Sequence, residues 1–561
     1  MNSVFPMVAT LAVLYFVGFR VYSKVIESRL VVPSDQPTPA VTINDGVDYV
    51  PARLPVLFGH HFSSIAGAGP IIGPIVVLAA FGWLPALLWI VAGNIFIGAV
   101  HDYLALMLSV RHGGASIAEI SRTALGERAA TIFSVFLWLA MILVVAVFGV
   151  VGAKTLVAKP EMVIPTLVLI PTAMALGWAV YRKGAPLMLA TLAALIVNFA
   201  SIWVGYLYPV AVEGTTWGMD PIQFWFVALM IYAGTAAMMP VHWLLQPRDY
   251  LATYNLYIAL GLGIVGLIVV HPTIQAPAFT GMVDATQGPL WPMLFILIAC
   301  GAISGFHALV AGGTTSKQLP SERAGRLIGY GGMLTEGVLA TMTLMLVAGG
   351  LYWVLPEGAP ASYGFQESMA AGGWIVVFGN AFGRVVHEML PFVSVAIAAM
   401  IAMIALNTFI LTTLDTATRI TRFLVQESVG RRIPLFRNPS VALALVLVPA
   451  FLIGATNSWV TIWPVFGATN QLIAVMALFV ISTVLLAQGR SVRFTLIPAI
   501  FMWVTTMGAL VWQSYSFLTA EPSNVFLGVV ALLLLGLALY IGVGALRKFG
   551  GQPVEVATQT S

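Results

Sequence analysis

The chain has 561 residues, 60% of them hydrophobic and 8% charged, with a mean hydropathy of +0.97. Soluble domains carry about 25% charged residues, so this composition excludes a soluble enzyme with one anchor, a nucleic-acid binder and a disordered chain. The formal net charge is +4, and a single cysteine, Cys300, excludes an intramolecular disulfide.

In chain order, apolar runs lie at about 4–20, 57–80, 84–109, 130–153, 162–181, 187–209, 222–246, 255–271, 290–312, 329–355, 386–413, 441–455, 459–487, 494–514 and 525–546, which predicts fifteen membrane-crossing helices. The first run lacks a basic region before it and a clean small-residue cleavage site, so it reads as a retained helix. With the N-terminus outside and strict alternation, 22 of the 25 Lys and Arg fall in inner loops, and only Lys154, Lys159 and Arg384 fall outside. The expectation is a multi-pass inner-membrane protein with Met1 outside and Ser561 cytoplasmic. No loop is long enough for a catalytic domain, so the chemistry belongs inside the bilayer.

The second run is poorly built as a helix. Gly59-His60-His61-Phe62-Ser63-Ser64-Ile65-Ala66-Gly67-Ala68-Gly69-Pro70-Ile71-Ile72-Gly73-Pro74 holds two prolines and several glycines, which lower the cost of unwinding. In lipid such a break survives only where it lines a cavity or is buried in protein. The new half-helix would start near Pro70 with free N–H groups able to hold a carboxylate. The alternative is that Gly69 and Gly73 form a close-packing face. A second interruption is expected in 222–246, at Tyr232-Ala233-Gly234-Thr235 through Pro240. It lies five crossings on, an odd number, as an inverted-repeat transporter with a central site requires. Residues 290–312 then end on Thr314-Thr315-Ser316-Lys317, which suits either a small cation or an ordinary helix end.

Several ionisable groups stand in apolar runs: His60, His61, His101, Asp102, His307 and Glu336, with Asn470-Gln471 nearby in kind. Burial of such groups marks function by default, and histidine changes charge between pH 5 and 8, which makes proton coupling an expectation. The competing reading is that each is neutral or satisfied by interhelical hydrogen bonds. His60 and His61 with the hydroxyls of Thr314, Thr315 and Ser316 are expected on the carrier path, His101, Asp102 and His307 beside them. Protons are expected rather than sodium, because sodium sites use oxygens and this half is rich in imidazole. Gly67, Ala68 and Gly69 are expected to hold a substrate carboxylate, with Tyr232, Gly234 and Thr235 on the opposite wall. No ATP-binding motif is present. A haem- or metal-bearing redox subunit is the rival reading, but no His-x₃-His or Glu-x-x-His spacing shares a helix face, so neither a metal nor a cofactor is expected.

Four stretches resemble the carbon starvation protein A (CstA) family: Gly59 to Pro70, Gly98-Ala99-Val100-His101-Asp102, Leu245-Gln246-Pro247-Arg248-Asp249-Tyr250, and Ser304-Gly305-Phe306-His307 through Thr314-Thr315-Ser316-Lys317-Gln318. The resemblance covers about 1–480, in a chain shorter than the best-known members. It implies a bacterial inner-membrane secondary transporter linked to nutrient starvation, with peptide and pyruvate uptake both attributed to members. It also implies an all-α, LeuT-like core of 5+5 inverted repeats, its first and sixth helices broken around the substrate. Here those are 57–80 and 222–246, and a cation site would join the first break to hydroxyls on 290–316, at Thr314 and Thr315. The expected layout is a leading helix and cytoplasmic loop (1–56), a ten-helix core (57–413, with repeats 57–209 and 222–413), an Arg-rich cytoplasmic loop (414–440), peripheral helices (441–548) and a cytoplasmic tail (549–561). The expected partners are a small-molecule substrate, a coupling ion and the lipid bilayer; the oligomeric state is left open.

Overall fold

The computed structural model describes residues 3–455, 459–520 and 523–550, so the expected positions of Met1 and of residues 551–561 of the tail lie outside the described residues. Among the described residues the chain is all-α apart from one hairpin of two-residue strands, Val283–Asp284 with Gly288–Pro289. Fourteen helices are long and apolar enough to cross a membrane. Two further segments complete the expected crossings: one at 290–313, split into Leu290–Leu297 and Gly305–Gly313, and Pro439–Ala455 with 17 residues.

Phe365–Met389 is long enough to span but folds back on itself. Gly372 and Gly373 are non-helical, and Asn380 Nδ2 donates to Ser368 Oγ across the bend at 3.0 Å. Both its beginning and its end lie beside 350–352: Phe365 N–H donates to Tyr352 O, and Arg384 donates to Gly350 O and Tyr352 Oη. Leaving this hairpin out keeps fifteen crossings, as the apolar runs predicted. The stretch 414–432, expected as part of a loop, instead continues Val395–Arg432, a 38-residue helix capped by Ser394, whose Oγ accepts from Ile397 N–H. Pro434 follows its end, where the missing N–H forbids continuation.

The first interruption is where it was expected. Leu54–Ala66 stops at Gly67, whose φ of +47° and ψ of −152° are a conformation essentially reserved for glycine. Gly69–Phe81 restarts with Pro70 in its first turn, where a proline costs no hydrogen bond. The second interruption is not in 222–246. Pro221–Met238 is continuous and opens on a capping box of Asp220 and Gln223. Pro240 only ends it, by pushing Met239 out of the helical region (φ −75°, ψ 150°), and 239–244 is the connection to Leu245–Val270. The second break is at 298–304, inside the ninth crossing.

The two breaks meet. A Cβ on Gly69 would lie 2.3 Å from Cys300 Cβ, one on Gly73 2.7 Å from Leu297 O, and one on Gly301 3.6 Å from Pro70 Cα. As one chain advances from 69 to 73 the other retreats from 300 to 297, so the interrupted helices run antiparallel. Seven crossings separate them, an odd number, so the inverted relation holds although the helix was misplaced. Each packs on the helix after the other's break: Gly69–Phe81 on Gly332–Gly350, and Gly305–Gly313 on Ala99–Arg111. Glu127–Ala158 lies along Val395–Arg432, and Pro221–Met238 and Pro439–Ala455 both pack against that pair. These crossed contacts are the ones expected of an inverted-repeat core, with the hairpin Pro160–Tyr181 and Leu187–Leu207 and the helices after Ala487 outside it.

Freed backbone groups of the second break are paired by side chains, as lipid demands. Trp89 Nε1 donates to Ile298 O (3.0 Å), Asn94 Nδ2 to Gly301 O (2.9 Å) and Gln471 Nε2 to Phe295 O (2.8 Å). Gly301 N–H donates to Glu336 Oε1 (3.1 Å) and Phe306 N–H to Asn470 Oδ1 (2.9 Å). The polar residues noted within apolar runs, Glu336, Asn470 and Gln471, thus hold an unwound segment open.

Candidate functional site

His60 and His61 are consecutive on Leu54–Ala66 and point about 100° apart, so they enter two different polar clusters. His60 Nδ1 bonds Asp249 Oδ2 (2.6 Å) and its Nε2 bonds Thr314 Oγ1 (3.0 Å). Asp249 accepts on its other oxygen from Arg248 Nε (3.1 Å) and Nη2 (2.5 Å). The same guanidinium reaches Asp415 on Val395–Arg432, with Nη2 to Oδ1 at 3.1 Å and Nη1 on Oδ2, and Nη1 also meets the Tyr232 hydroxyl. Tyr232 Oη donates to Asp415 Oδ2 (3.0 Å). Thr314 Oγ1 accepts from Gln318 Nε2 (2.8 Å), and Gln318 Oε1 from Gln246 Nε2 (2.7 Å). Arg248, Asp249, Asp415 and His60 are all at most 1% exposed, and every polar side-chain atom of these four has a partner. Isolated charges could not be buried this way; two carboxylates around one guanidinium can.

The helix that carries Asp415 also reaches the first break. Thr413 Oγ1 donates to Ser64 O (3.4 Å), Thr416 Oγ1 pairs with Ser64 Oγ (3.2 Å), and Thr413 Oγ1 lies 3.1 Å from where a Gly67 Cβ would stand. Asp415 is between those two threonines in sequence. The hydroxyls facing the first break therefore come from Val395–Arg432 and not from 290–316, where Thr314 and Thr315 were expected to supply them.

The second cluster lies on the other side of His61. His61 Nδ1 bonds Thr315 Oγ1 (2.9 Å). Asp102 accepts from both histidines near it, His101 Nδ1 on Oδ1 and His307 Nδ1 on Oδ2, each at 2.8 Å. An ionised carboxylate only accepts, so each ring carries its proton on Nδ1. That leaves His307 Nε2 facing Glu336 Oε2 at 3.3 Å. Of the three hydroxyls expected beside the histidine pair, Thr314 and Thr315 are there; Ser316 instead accepts from Ser109 Oγ (2.9 Å).

A strap closes the end of the molecule next to the first cluster. Val50 N–H donates to Lys317 O (3.2 Å) and Ala52 N–H to Gln318 O (3.1 Å). Arg419 Nη1 donates to Asp48 Oδ1 (2.6 Å), with Arg422 Nη2 3.8 Å from Oδ2. Lys317 stands with Nζ 3.9 Å from the centre of the Phe423 ring and 5.4 Å from that of Tyr49.

The remaining expected residues divide. Tyr232 belongs to the first cluster, Gly67 faces Thr413 and Phe148, and Ala68 O accepts from Ile71 and Ile72 N–H. Gly69 packs against Cys300, which is the close-packing alternative for that glycine. Gly234 meets Leu447, and Thr235 is exposed with its hydroxyl spent on Ile231 O (2.9 Å). Arg248, Asp249 and Asp415 were not singled out as site residues. The basic-residue rule had placed Arg248 in an inner loop, and the signal that could have rescued it was the Gln246-Pro247-Arg248-Asp249-Tyr250 string itself.

Comparison with known proteins follows the same residues. Peptide transporter CstA of Mycobacterium tuberculosis (strain H37Rv) is 34% identical over 91% of this chain and 74% of its own length. The pyruvate/proton symporter BtsT of Escherichia coli K12 is 32% identical over 92% of this chain and 82% of its own. Peptide transporter CstA of Bacillus subtilis 168 is 32% identical over 98% and 97%. Among solved structures, MhsT in complex with L-phenylalanine overlays with a TM-score of 0.49 at 12% identity, covering 87% of this chain and 98% of that one. The family model described as carbon starvation protein CstA matches residues 2–359 and 357–509, which take in both interrupted helices and both clusters. This multi-pass membrane protein belongs to the carbon starvation protein CstA family.

Proposed function

We propose that the protein is a secondary active transporter that takes up a small carboxylate-bearing nutrient, a peptide or pyruvate, together with a proton. The observation that carries this reading is Arg248, a fully buried guanidinium clamped between Asp249 and Asp415, with Asp249 bonded to His60 of the helix that ends at Gly67. A substrate carboxylate entering at Gly67-Ala68, with Tyr232 on the opposite wall, is a bidentate partner for Arg248 in place of Asp415. Asp415 left without its cation in a dry site takes a proton. One negative charge is exchanged for another only if a proton arrives too, which ties substrate to proton. His60, hydrogen-bonded to Asp249 and Thr314, offers that proton a route along the strap side. The relatives named as peptide transporters and as a pyruvate/proton symporter agree with this substrate class and this ion.

The core is assigned to residues 54–158, 221–270 and 290–487 as two inverted halves, on the strength of the antiparallel breaks and their crossed packing. The membrane is the bacterial inner membrane, with the N-terminus outside, the C-terminus cytoplasmic and the 45–52 strap on the cytoplasmic side, as the distribution of basic residues supports. The test is uptake of labelled pyruvate and of a labelled dipeptide into proteoliposomes under imposed proton or sodium gradients. Accumulation of one of them driven by an inward proton gradient is expected. Uptake that needs sodium and ignores the proton gradient overturns the coupling, and failure of both substrates overturns the substrate class.

A further inference from the structure

An imidazole nitrogen and a carboxylate oxygen that face each other in a dry core need something positive between them, a proton or a metal ion. His307 Nε2 and Glu336 Oε2 are such a pair: both side chains are 0% exposed, 3.3 Å apart, and neither atom has a hydrogen-bond partner. Their other polar atoms are already committed, His307 Nδ1 to Asp102 and Glu336 Oε1 to Gly301 N–H. A third atom converges on the same point. Cys300 Sγ, His307 Nε2 and a Glu336 carboxylate oxygen all lie within 4.8 Å of one another. We propose that Cys300, His307 and Glu336 form a binding site for a divalent d-block cation of borderline softness, such as Zn²⁺ or Co²⁺.

The donor set selects the metal class. Thiolate, imidazole and carboxylate together suit zinc and its neighbours, whereas magnesium and calcium take oxygens alone. Two ligands each about 2.0–2.1 Å from one tetrahedral centre stand about 3.3 Å apart, which is the His307–Glu336 separation already present. The Asp102–His307 bond fixes the ring as the Nδ1–H tautomer and directs Nε2 inward, the orientation that a carboxylate behind a ligating histidine provides. Three protein ligands leave the fourth position to water. Coordination displaces the thiol proton of Cys300 to solvent.

Spacing along a single helix face could not reveal this site, because its ligands come from three places in the fold. Cys300 lies in the unwound stretch, His307 in the half-helix after it, and Glu336 on Gly332–Gly350. A bound cation therefore pins both sides of the second break to the neighbouring helix. Gly69 is part of the device, since any side chain there would occupy the place of Cys300 Cβ and Sγ, 2.3 and 2.6 Å from its Cβ position.

The experiment uses the purified full chain, stripped with chelator and titrated with Co²⁺. Cys300 is the only cysteine in the sequence, so a thiolate-to-cobalt charge-transfer band can arise from no other residue. The expected result is one equivalent of Co²⁺ with that band, displaced by Zn²⁺. Cys300→Ser should lose the band, and His307→Gln and Glu336→Gln should each weaken binding at least tenfold. Elution as a monodisperse peak confirms that each variant is folded. Co²⁺ uptake without the band, or affinity unchanged in His307→Gln, overturns the site and leaves a proton as the only occupant of the His307–Glu336 gap. The readout is independent of transport, so it stands or falls apart from the proposed uptake.

Discussion

The two buried clusters sit back to back across Leu54–Ala66, yet they solve the problem of charge in a dry interior differently. Around Arg248 every acceptor has a donor, and the charges of two carboxylates are shared over one planar cation. Around His307 the network is incomplete: His61 Nε2, His101 Nε2, His307 Nε2 and Glu336 Oε2 are all left without a hydrogen bond. A satisfied network is stable as it stands and changes only when one partner is exchanged for another. An unsatisfied one is incomplete until a cation joins it. The first therefore suits exchange of a carboxylate ligand, and the second suits residence of a positive ion.

Breaking the satisfied network should cost the most. Arg248→Ala strands Asp249 and Asp415 in the core, and loss of one partner of a buried pair destabilises by about 3–5 kcal/mol. The expected outcome is a large fall in the denaturation midpoint in detergent, with uptake abolished. The double change Arg248→Met, Asp415→Leu should recover part of the stability without recovering uptake, because it removes the guanidinium and one of its two carboxylates together and leaves Asp249 its bond to His60. Equal instability of single and double variants would mean the pair is not what holds these helices together.

The glycines at the first break separate the two clusters. Gly67 needs a positive φ and faces Thr413 on the helix that carries Asp415, whereas Gly69 abuts Cys300. Gly67→Ala should cost about 1–3 kcal/mol through backbone strain and raise KM for the substrate carboxylate. Gly69→Ala should cost about 1–3 kcal/mol through overpacking and weaken Co²⁺ binding while leaving KM nearly unchanged. Uptake kinetics and cobalt titration on both variants give the comparison. Crossed effects, with Gly67→Ala altering the metal and Gly69→Ala the substrate, would show that the breaks act as one site.

This division also shows what a sequence can carry. The first break was legible because Gly67, Pro70 and Pro74 violate helix chemistry locally. The second was misassigned to Pro240, since a proline that ends a helix and one that interrupts it look alike until the next turn is placed. The real break at 298–304 contains no proline, only Gly301 at φ +87°, and its support comes from Trp89, Asn94, Glu336, Asn470 and Gln471 on other helices. His60 with Thr314 and His61 with Thr315 were anticipated as neighbours and are. Asp415 was hidden because 414–432 reads as an Arg-rich loop, and only tertiary burial of Arg419 and Arg422 makes it a helix interior.

Asp415→Asn is the sharper probe of the exchange idea, with a smaller effect on stability because an amide still accepts from Arg248 and Tyr232. A side chain that cannot take up or release a proton should uncouple the cycle. Accumulation against a gradient should fall to the passive level while exchange of labelled for unlabelled substrate continues. Measured in the same proteoliposomes, loss of exchange as well as accumulation would place Asp415 in substrate binding alone.

The smallest effect concerns access to the first cluster. The strap at 45–52 is held by backbone bonds to Lys317 and Gln318, by the Asp48 carboxylate on Arg419 and Arg422, and by Tyr49 beside the Lys317 ammonium. Asp48 keeps 15% of its side chain exposed, so its pair with Arg419 is partly screened and is worth about 1 kcal/mol. Asp48→Asn should leave the fold intact and raise amide exchange across 47–52 by about fivefold, the equivalent of that energy. Val50 and Ala52 report best, because their N–H groups carry the strap onto Lys317 and Gln318. If the strap opens to admit or release substrate, the same variant should also speed exchange transport. Faster amide exchange with unchanged transport would mean that another step limits the cycle and that the strap only covers the cluster.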